Sequence, residues 1–432
     1  MTDPLDQACQ PDANTSDSDK ARIGSERIHA NALVSMRFEL RWRSAHASHY
    51  DCTAAGQLNL ARDPFPPELE MAVMDKPVGY CASHRFNPGE LLRPYRQDRL
   101  LELRPEQFDS GSRASIQPRT GRFYPQSLVP ELNDLCDRQP TPFRVTCADA
   151  TQLQVDLNHP LADQPVELSL CIDWIGSKTD KRGGCCTEIA DLVTADGPGM
   201  QGRWRGIPTD FFSDLPFLRA DSRPDNLFYA QPRLVDHIDR TAIGEISALY
   251  GRLLPAGARV LDLMSSWHSH LPSTLALASV TGLGMNREEL DANPMLDERV
   301  VQDLNQDSTL PFDDAVFDAV ICTVSVEYLT DPVGVFRQLA RVLIPGGLLI
   351  MTFSNRWFPP KVIRIWEAIH EYERPGLVLE YFIASGQFVD LTSWSLRGLP
   401  RPADDIYAGR LAFSDPVYAV WGRRAATAGD AA

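Results

Sequence analysis

Five short apolar runs in the second half of the chain constrain its fold more than any other feature. They fall at 259–263, 279–285, 299–303, 317–323 and 348–354, with stretches of helical spacing between most of them. Runs of that length, lacking the alternation of a half-exposed strand, read as strands buried on both faces of a parallel sheet. Strand and helix in turn predict a doubly wound α/β arrangement. An entry helix is legible in Val235, Ile238, Ala242, Ile246, Leu249 and Leu253, spaced by threes and fours and closed by Pro255-Ala256-Gly257. A later run at 416–423, with Tyr418, Val420 and Trp421, reads as a further strand.

The first of these runs ends in polar residues. Val260, Leu261 and Leu263 surround Asp262, and Met264-Ser265-Ser266-Trp267-His268-Ser269-His270 follows. Open α/β sheets bind ligands in the crevice beyond the carboxyl ends of their strands, where the strand order reverses. Asp262, Asn286, Asp303 and Ser325 fall at or just after four successive strand ends. Ser265 and Ser266 are small enough to let backbone amides approach a ligand. Met264 and His268 are bulkier and narrow the entrance. His268 and His270 read as solvent-facing or packing residues, and no metal site is predicted.

The first half reads differently. Residues 1–31 are polar and rich in Asp and Ser, and are predicted to be disordered. Val34, Met36, Phe38, Leu40 and Trp42 then alternate with other residues as one strand. Leu58 and Leu60 lead into Asp63-Pro64-Phe65-Pro66-Pro67-Glu68-Leu69-Glu70 and a short helix through Met74, and Pro77-Val78-Gly79 makes a turn. Further strands fall at 141–147, 152–157 and 166–174, with a turn at Asn158-His159-Pro160-Leu161. Residues 176–232 connect the halves. Trp204, Phe211, Phe212 and Phe217 make this segment too apolar for a free linker, so it is expected to lie against a domain. Gly183-Gly184-Cys185-Cys186 lacks the paired spacing of a metal site.

Composition bounds the partners. A chain of 432 residues accommodates two or three domains, and 43% hydrophobic content suffices for their cores. The net charge of −16 argues against nucleic acid and anionic membrane as partners. Nine cysteines, an odd count without C-x-x-C spacing, suggest a reducing compartment. No apolar run reaches spanning length and no signal-like core opens the chain, so a cytoplasmic location is expected.

Three motifs extend this reading. Leu310-Pro311-Phe312 followed by Phe317-Asp318-Ala319-Val320, Arg341-Val342-Leu343-Ile344-Pro345-Gly346-Gly347, and the Asp262 strand together resemble the class I S-adenosylmethionine (SAM) methyltransferases. The resemblance covers about residues 228–424. The family's first motif carries three glycines, for which this chain has Met264, Ser266 and His268. Leu261–Trp267 and Val324-Ser325-Val326-Glu327-Tyr328-Leu329 are similar to a subgroup of the type 11 methyltransferases that shares this glycine loss. The resemblance implies SAM as cofactor. It implies that Asp262 holds the methionine moiety, that Met264, Ser265 and Ser266 approach it, and that Asn286 reaches the ribose, where the usual acid position is Gly284. Asp303 and Asn305 would reach the adenine. Ser325 would border the cofactor, with Glu327 and Tyr328 facing the methyl acceptor.

Val155-Asp156-Leu157-Asn158-His159-Pro160-Leu161-Ala162 resembles the FKBP-type prolyl isomerases of the SlyD kind, over about residues 33–175. Tyr50-Asp51-Cys52-Thr53 is similar to that family's Phe-Asp-Ser-Ser, and Phe143-Arg144-Val145-Thr146 to its inserted flap. This resemblance implies a prolyl pocket drawn from Phe38, Tyr50, Asp51, Phe65, Leu69, Phe86 and Leu168, and proline-containing peptides as partners. Asp63-Pro64-Phe65-Pro66-Pro67-Glu68 stands where the family has a glycine-bearing loop, which reshapes the pocket.

The resulting expectation is an α+β multidomain chain. It comprises a disordered tail at 1–31, a β-rich FKBP-like domain at 33–175, a packed linker at 176–232, and a Rossmann-like methyltransferase domain with a mostly parallel sheet at 233–424. Its expected activity is methyl transfer to an acceptor the sequence does not name. The rivals are a prolyl isomerase or chaperone with a SAM-binding scaffold, and a second half that binds no cofactor.

Overall fold

A computed structural model describes residues 27–108, 116–135, 142–176, 186–195 and 197–426. Most of the 1–31 tail and Cys185 lie outside the described residues. The chain divides into two compact units. The first comprises residues 1–44, 49–208 and 396–399, and the second comprises 45–48, 209–395 and 400–432.

In the first unit the strands are β1 (Leu33–Arg43), β2 (Ala47–Asn59), β3 (Cys81–Phe86), β4 (Leu100–Leu103), β5 (Phe123–Tyr124), β6 (Phe143–Ala148), β7 (Leu153–Asp156) and β8 (Val166–Gly176). Two short helices, α1 (Pro67–Val73) and α2 (Ile189–Thr194), accompany them. One sheet has the order β2-β1-β8-β3, and a separate four-stranded sheet has the order β4-β7-β6-β5. The alternation of β1 is realised as expected. Val34, Met36, Phe38, Leu40 and Trp42 all enter one core with Leu168, Leu170 and Ile172 of β8 and with Leu69 and Val73 of α1. The smaller sheet has its own core, built on Tyr124, Phe143, Val145, Leu153 and Val155. Strands β3 and β8 run antiparallel with Cys81 opposite Cys171, and these two cysteines form a disulfide. That bridge does not follow from the reducing compartment read from the cysteine count.

The second unit opens with α3 (Asp225–Phe228) and α4 (Arg240–Leu253), followed by β9 (Arg259–Leu263) and β10 (Ser279–Gly284). Next come α5 (Arg287–Ala292), β11 (Glu298–Val301), β12 (Phe317–Thr323), α6 (Pro332–Val342) and β13 (Leu343–Phe353). The unit closes with α7 (Arg364–Ala368), α8 (Glu373–Ser385), β14 (Phe388–Arg397) and β15 (Val417–Arg424). The expected entry helix starts later than its apolar spacing suggests, because the Asp239 side chain caps it by accepting from Ala242 N at 3.0 Å. The strand order is β11-β10-β9-β12-β13-β15-β14. Pairs β10–β11, β9–β10, β9–β12 and β12–β13 are parallel, whereas β13–β15 is antiparallel. Val260, Leu261, Leu263, Val320, Ile321, Leu349 and Ile350 are buried, as strands covered on both faces require. Chain order runs outward from β9 to β11 and then jumps back to β12. The reversal therefore lies between β9 and β12, with Asp262 opposite Ile321 across it.

Candidate functional site

A cleft lies at that reversal and encloses about 1140 Å³ out to its open mouth. Asp262, Met264, Ser265, Ser266, Asn286, Asp303, Asn305, Ser325 and Tyr328 all line it. Glu327 does not. It sits in the 3-10 turn Val326–Tyr328 with its side chain wholly buried, and neither carboxylate oxygen has a hydrogen-bond partner among the described residues. Burial pushes its carboxyl up to about 8. The turn thus places Glu327, expected on the acceptor side, among buried residues outside the cleft lining.

The loop after β9 works without glycines because side chains pin it. Ser265 donates its backbone N–H to Leu283 O at 2.8 Å, and its Oγ donates to Asp262 Oδ2 at 2.6 Å. Ser266 Oγ donates to Glu289 Oε2 at 2.6 Å, and Asn293 Nδ2 donates to Ser266 O at 2.9 Å and to Ser269 Oγ at 2.8 Å. The turn itself falls on Met264, whose φ of +55° is the left-handed region that glycine occupies without cost. The same packing explains Gly284. A Cβ there would meet Ser265 O at 2.1 Å, so no acid can stand at this position.

Asp262 ends β9 nearly buried, at 3% exposure. Burial raises its carboxyl to about 7, against the lowering effect of hydrogen bonds from Ser265 and Ser269. Asn286 lines the cleft, but its side chain is engaged. Its Oδ1 caps α5 by accepting from Glu288 N at 2.9 Å and Glu289 N at 3.2 Å, while Nδ2 donates to Tyr229 O at 2.9 Å and Ala230 O at 3.3 Å. Asn305 is engaged likewise. Its Nδ2 donates to Asp225 Oδ2 at 2.8 Å, and its Oδ1 accepts from Thr330 N at 2.8 Å. Asp303 accepts from Asn305 N at 2.9 Å, and Ser325 Oγ donates to Thr323 O at 2.9 Å.

Sequence reasoning missed several lining residues, notably Tyr229, Arg233, Asp236, His237, Glu289 and Phe358. Glu289 carried a signal, since an acid three residues after a capping Asn marks a helix start. Its carboxylate instead turns back, accepting from Ser266 Oγ and from Arg233 N at 2.7 Å. The 219–229 segment is fixed by ion pairs: Asp225 accepts from Arg219 Nη1 at 2.7 Å and lies 3.1 Å from the fully buried Lys361 Nζ.

The prolyl-pocket candidates all lie in the first unit and are buried. Phe38, Phe65 and Phe86 are buried members of the first unit's core, together with Leu69 and Leu168. Tyr50 is 6% exposed and Asp51 2%. Asp51 accepts from Trp42 Nε1 at 2.9 Å and from Gln201 Nε2 at 3.0 Å. These side chains are packed among the buried residues of the first unit. The alternation of β1 and the insertion of α1 account for that burial.

The cleft's chemistry suits a cationic nucleoside. Asp262, Glu289 and Asp303 supply acceptors for an ammonium and for ribose hydroxyls, and the close contact at Gly284 holds backbone against the pocket floor. Residues 266–351 match the family model described as a methyltransferase domain. A ubiquinone biosynthesis O-methyltransferase of Xanthomonas axonopodis pv. citri is 34% identical over 116 residues, 24% of this chain and 46% of that protein. A 27-O-demethylrifamycin SV methyltransferase of Amycolatopsis mediterranei is 35% identical over 107 residues, 23% of this chain and 39% of that protein. The chain thus spans about half the length, or less, of these curated relatives. A solved S-adenosylmethionine-dependent methyltransferase from Mesorhizobium loti overlays 41% of this chain and 96% of its own, with 18% identity and a TM-score of 0.29. No helix of the described residues is long and apolar enough to cross a membrane. Residues 266–351 of the second unit are thus similar to a methyltransferase domain, and S-adenosylmethionine is the cofactor that such a domain implies.

Proposed function

We propose that the second unit is a SAM-dependent O-methyltransferase acting on a small hydroxyl-bearing acceptor. One observation carries the reading: an acid-lined cleft lies at the strand-order reversal, beside the segment that matches the methyltransferase domain. The names of the two O-methyltransferase relatives support oxygen as the receiving atom. SAM, when bound, supplies an electrophilic methyl group, so the chain's own task is to hold, orient and keep water out. Asp262, steadied by Ser265, would hold the methionine end, and Glu289 the ribose hydroxyls. Asp303 would border the adenine. The isomerase-like resemblance of 33–175 stands as a separate reading, with Phe38, Phe65 and Phe86 buried in that unit's core.

Calorimetry with SAM tests the reading. A hydrogen bond to a charged partner contributes about 1.5–3 kcal/mol, so Asp262→Ala is expected to weaken binding roughly ten- to a hundredfold. Since burial raises Asp262 to about 7, affinity for this cation is expected to fall as pH drops below that value. Asp262→Asn should remove the pH dependence. No heat at millimolar SAM, with no nucleoside co-purifying by mass spectrometry, would refute the reading.

A further inference from the structure

Three histidines converge on one corner of the cleft. His237 precedes α4, and His268 and His270 follow β9. The His268 and His270 rings lie 4.3 Å apart, and the His237 ring meets Phe358 edge-on at 5.0 Å. Asp236 brings Oδ1 to 3.5 Å from His268 Nδ1, an ion-pair distance rather than a hydrogen bond, and that nitrogen has no hydrogen-bond partner among the described residues. The indole N–H of Trp267 donates to Val235 O at 3.2 Å and so ties the histidine loop to the segment that carries the carboxylate. His268 also occupies a position where the resemblance leads one to expect glycine. Among the described residues no group of three or more His, Cys, Asp and Glu is placed to hold a metal ion.

We propose that His268, oriented by Asp236, accepts the proton of an aromatic hydroxyl, and that the cleft's acceptor is an uncharged phenol or catechol. This rests on the methyltransferase reading above. An imidazole held by a carboxylate on one nitrogen presents the lone pair of the other to a substrate proton, and such pairs tighten when substrate binds. Asp236 at Nδ1 favours the tautomer with its proton there, leaving Nε2 as acceptor. As the hydroxyl oxygen bonds to the methyl carbon, the O–H proton passes to Nε2, and the former carbon–sulfur electron pair stays on sulfur. The resulting imidazolium is balanced by Asp236. His270 does not compete for the proton. It is buried at φ +55°, with Nδ1 unpartnered among the described residues, and burial beside His268 and His237 lowers it to about 3. The other charged or titratable groups facing this corner are Arg233, His237 and Glu289.

The acceptor class follows from the walls. Tyr229, Trp267 and Phe358 give the cleft an aromatic lining, with the Arg233 guanidinium over the rings of Tyr229 and Phe358. Asp225, Asp236, Glu289 and Asp303 oppose an anionic acceptor, against Arg233 as the single Arg or Lys among the described lining residues. An imidazole takes a proton from a phenol far more readily than from an aliphatic alcohol.

The test titrates the full chain with 4-nitrocatechol, without nucleoside, and reads the absorbance of its ionised form against pH. Bound to the wild type, the probe is expected to ionise about one pH unit or more below the free probe, as a neighbouring cation would cause. His268→Asn and His268→Gln should abolish the shift, and Asp236→Asn should shrink it. All three variants should bind S-adenosylhomocysteine within about twofold of wild type by calorimetry, which also reports that they are folded. A shift that survives both His268 substitutions overturns the proposal, as does a wild type that leaves the probe spectrum unchanged. An unchanged shift in Asp236→Asn would remove the role of Asp236. Loss of about tenfold in S-adenosylhomocysteine affinity on changing His268 would assign the histidine to the cofactor instead. Failure of the wild type to bind S-adenosylhomocysteine sinks the methyltransferase reading alone, because the catechol titration needs no cofactor.

Discussion

Among the carboxylates buried in each unit, one pair in the first and one pair in the second are treated in opposite ways. In the first unit Glu39 and Asp51 are almost wholly enclosed, at 0% and 2% exposure. Glu39 pairs with Arg41 and accepts from Cys52 Sγ at 3.6 Å, while Asp51 accepts from Trp42 and Gln201. In the second unit Asp262 and Glu327 are equally enclosed, at 3% and 0%. Asp262 has only hydroxyl donors, from Ser265 and Ser269. Glu327 has no hydrogen-bond partner among the described residues. Burial raises a carboxyl where compensation is weak, and both second-unit acids are raised, Asp262 to about 7 and Glu327, despite the charge of Arg374, to about 8. Buried acids that are fully engaged build a scaffold. Of the two acids held close to neutrality, Asp262 lines the cleft and Glu327 lies outside its lining.

The strongest way to sharpen this contrast is pH. Glu327 titrates at about 8 in the folded chain, against an ordinary value of 4.5. The folded state therefore binds the proton more tightly than the unfolded state. Its contribution is fully present below about pH 4.5 and is lost as pH rises through about 8, by on the order of 4 kcal/mol. Asp262 acts in the same direction up to about 7. Unfolding free energies near pH 5 and about pH 9 should thus differ steeply in wild type and much less in Glu327→Gln. An equal fall in both proteins would mean that Glu327 finds a partner the structure does not give it.

The next test exchanges the units' roles. Asp51→Ala leaves Trp42 Nε1 and the Gln201 amide buried without their acceptor, at about 1–3 kcal/mol for each unsatisfied group. A stability loss of roughly 2–4 kcal/mol is expected by thermal or denaturant unfolding, with S-adenosylhomocysteine affinity kept within about twofold. If Asp51→Ala instead keeps its stability and abolishes turnover of a proline peptide by the wild-type chain, Asp51 is a site residue. The scaffold side of the comparison then fails.

What was legible in the sequence follows from how each position is determined. Strands β9, β10 and β12 were readable because a strand covered on both faces must be continuously apolar, and Asp262 was readable as the polar residue that breaks such a run. The Phe38, Phe65 and Phe86 positions were readable as apolar, but the same letters serve a pocket wall and a core. Only the packing of α1 and β8 decides between them. Asn286 and Asn305 have the right chemistry for a ligand, yet caps and turns engage them, and amides are suited to that use as well. Asp236, His237 and Phe358 were unreadable as cleft residues because long-range contacts bring them there, such as the Phe358 N–H donated to Tyr328 OH at 2.8 Å. Strand β14 escaped notice because buried Ser393 and Ser395 dilute its apolar pattern.

The smallest expected effect concerns the turn that starts the ligand loop. Met264 holds φ +55°, and His270, six residues on, holds the same value. A left-handed non-glycine residue costs about 1–2 kcal/mol, and such strain persists only where the surroundings over-determine it. Here the serine hydrogen bonds to Asp262, Glu289 and Leu283 O supply that constraint. The first unit holds its own left-handed residues, Gln57, Asp75 and Arg205, and none of them lines the cleft. Met264→Gly removes the strain but adds about 0.5–1 kcal/mol of glycine entropy in the unfolded chain. The side chain is half-buried in the cleft wall, so its loss also widens the entrance. The net expectation is a stability gain of roughly 0.5–1 kcal/mol with faster S-adenosylhomocysteine association. Thermal unfolding and stopped-flow binding would read the two separately. A melting temperature that falls, with binding slowed, would show that Met264 is kept for its packing and that its backbone strain has no bearing on the ligand.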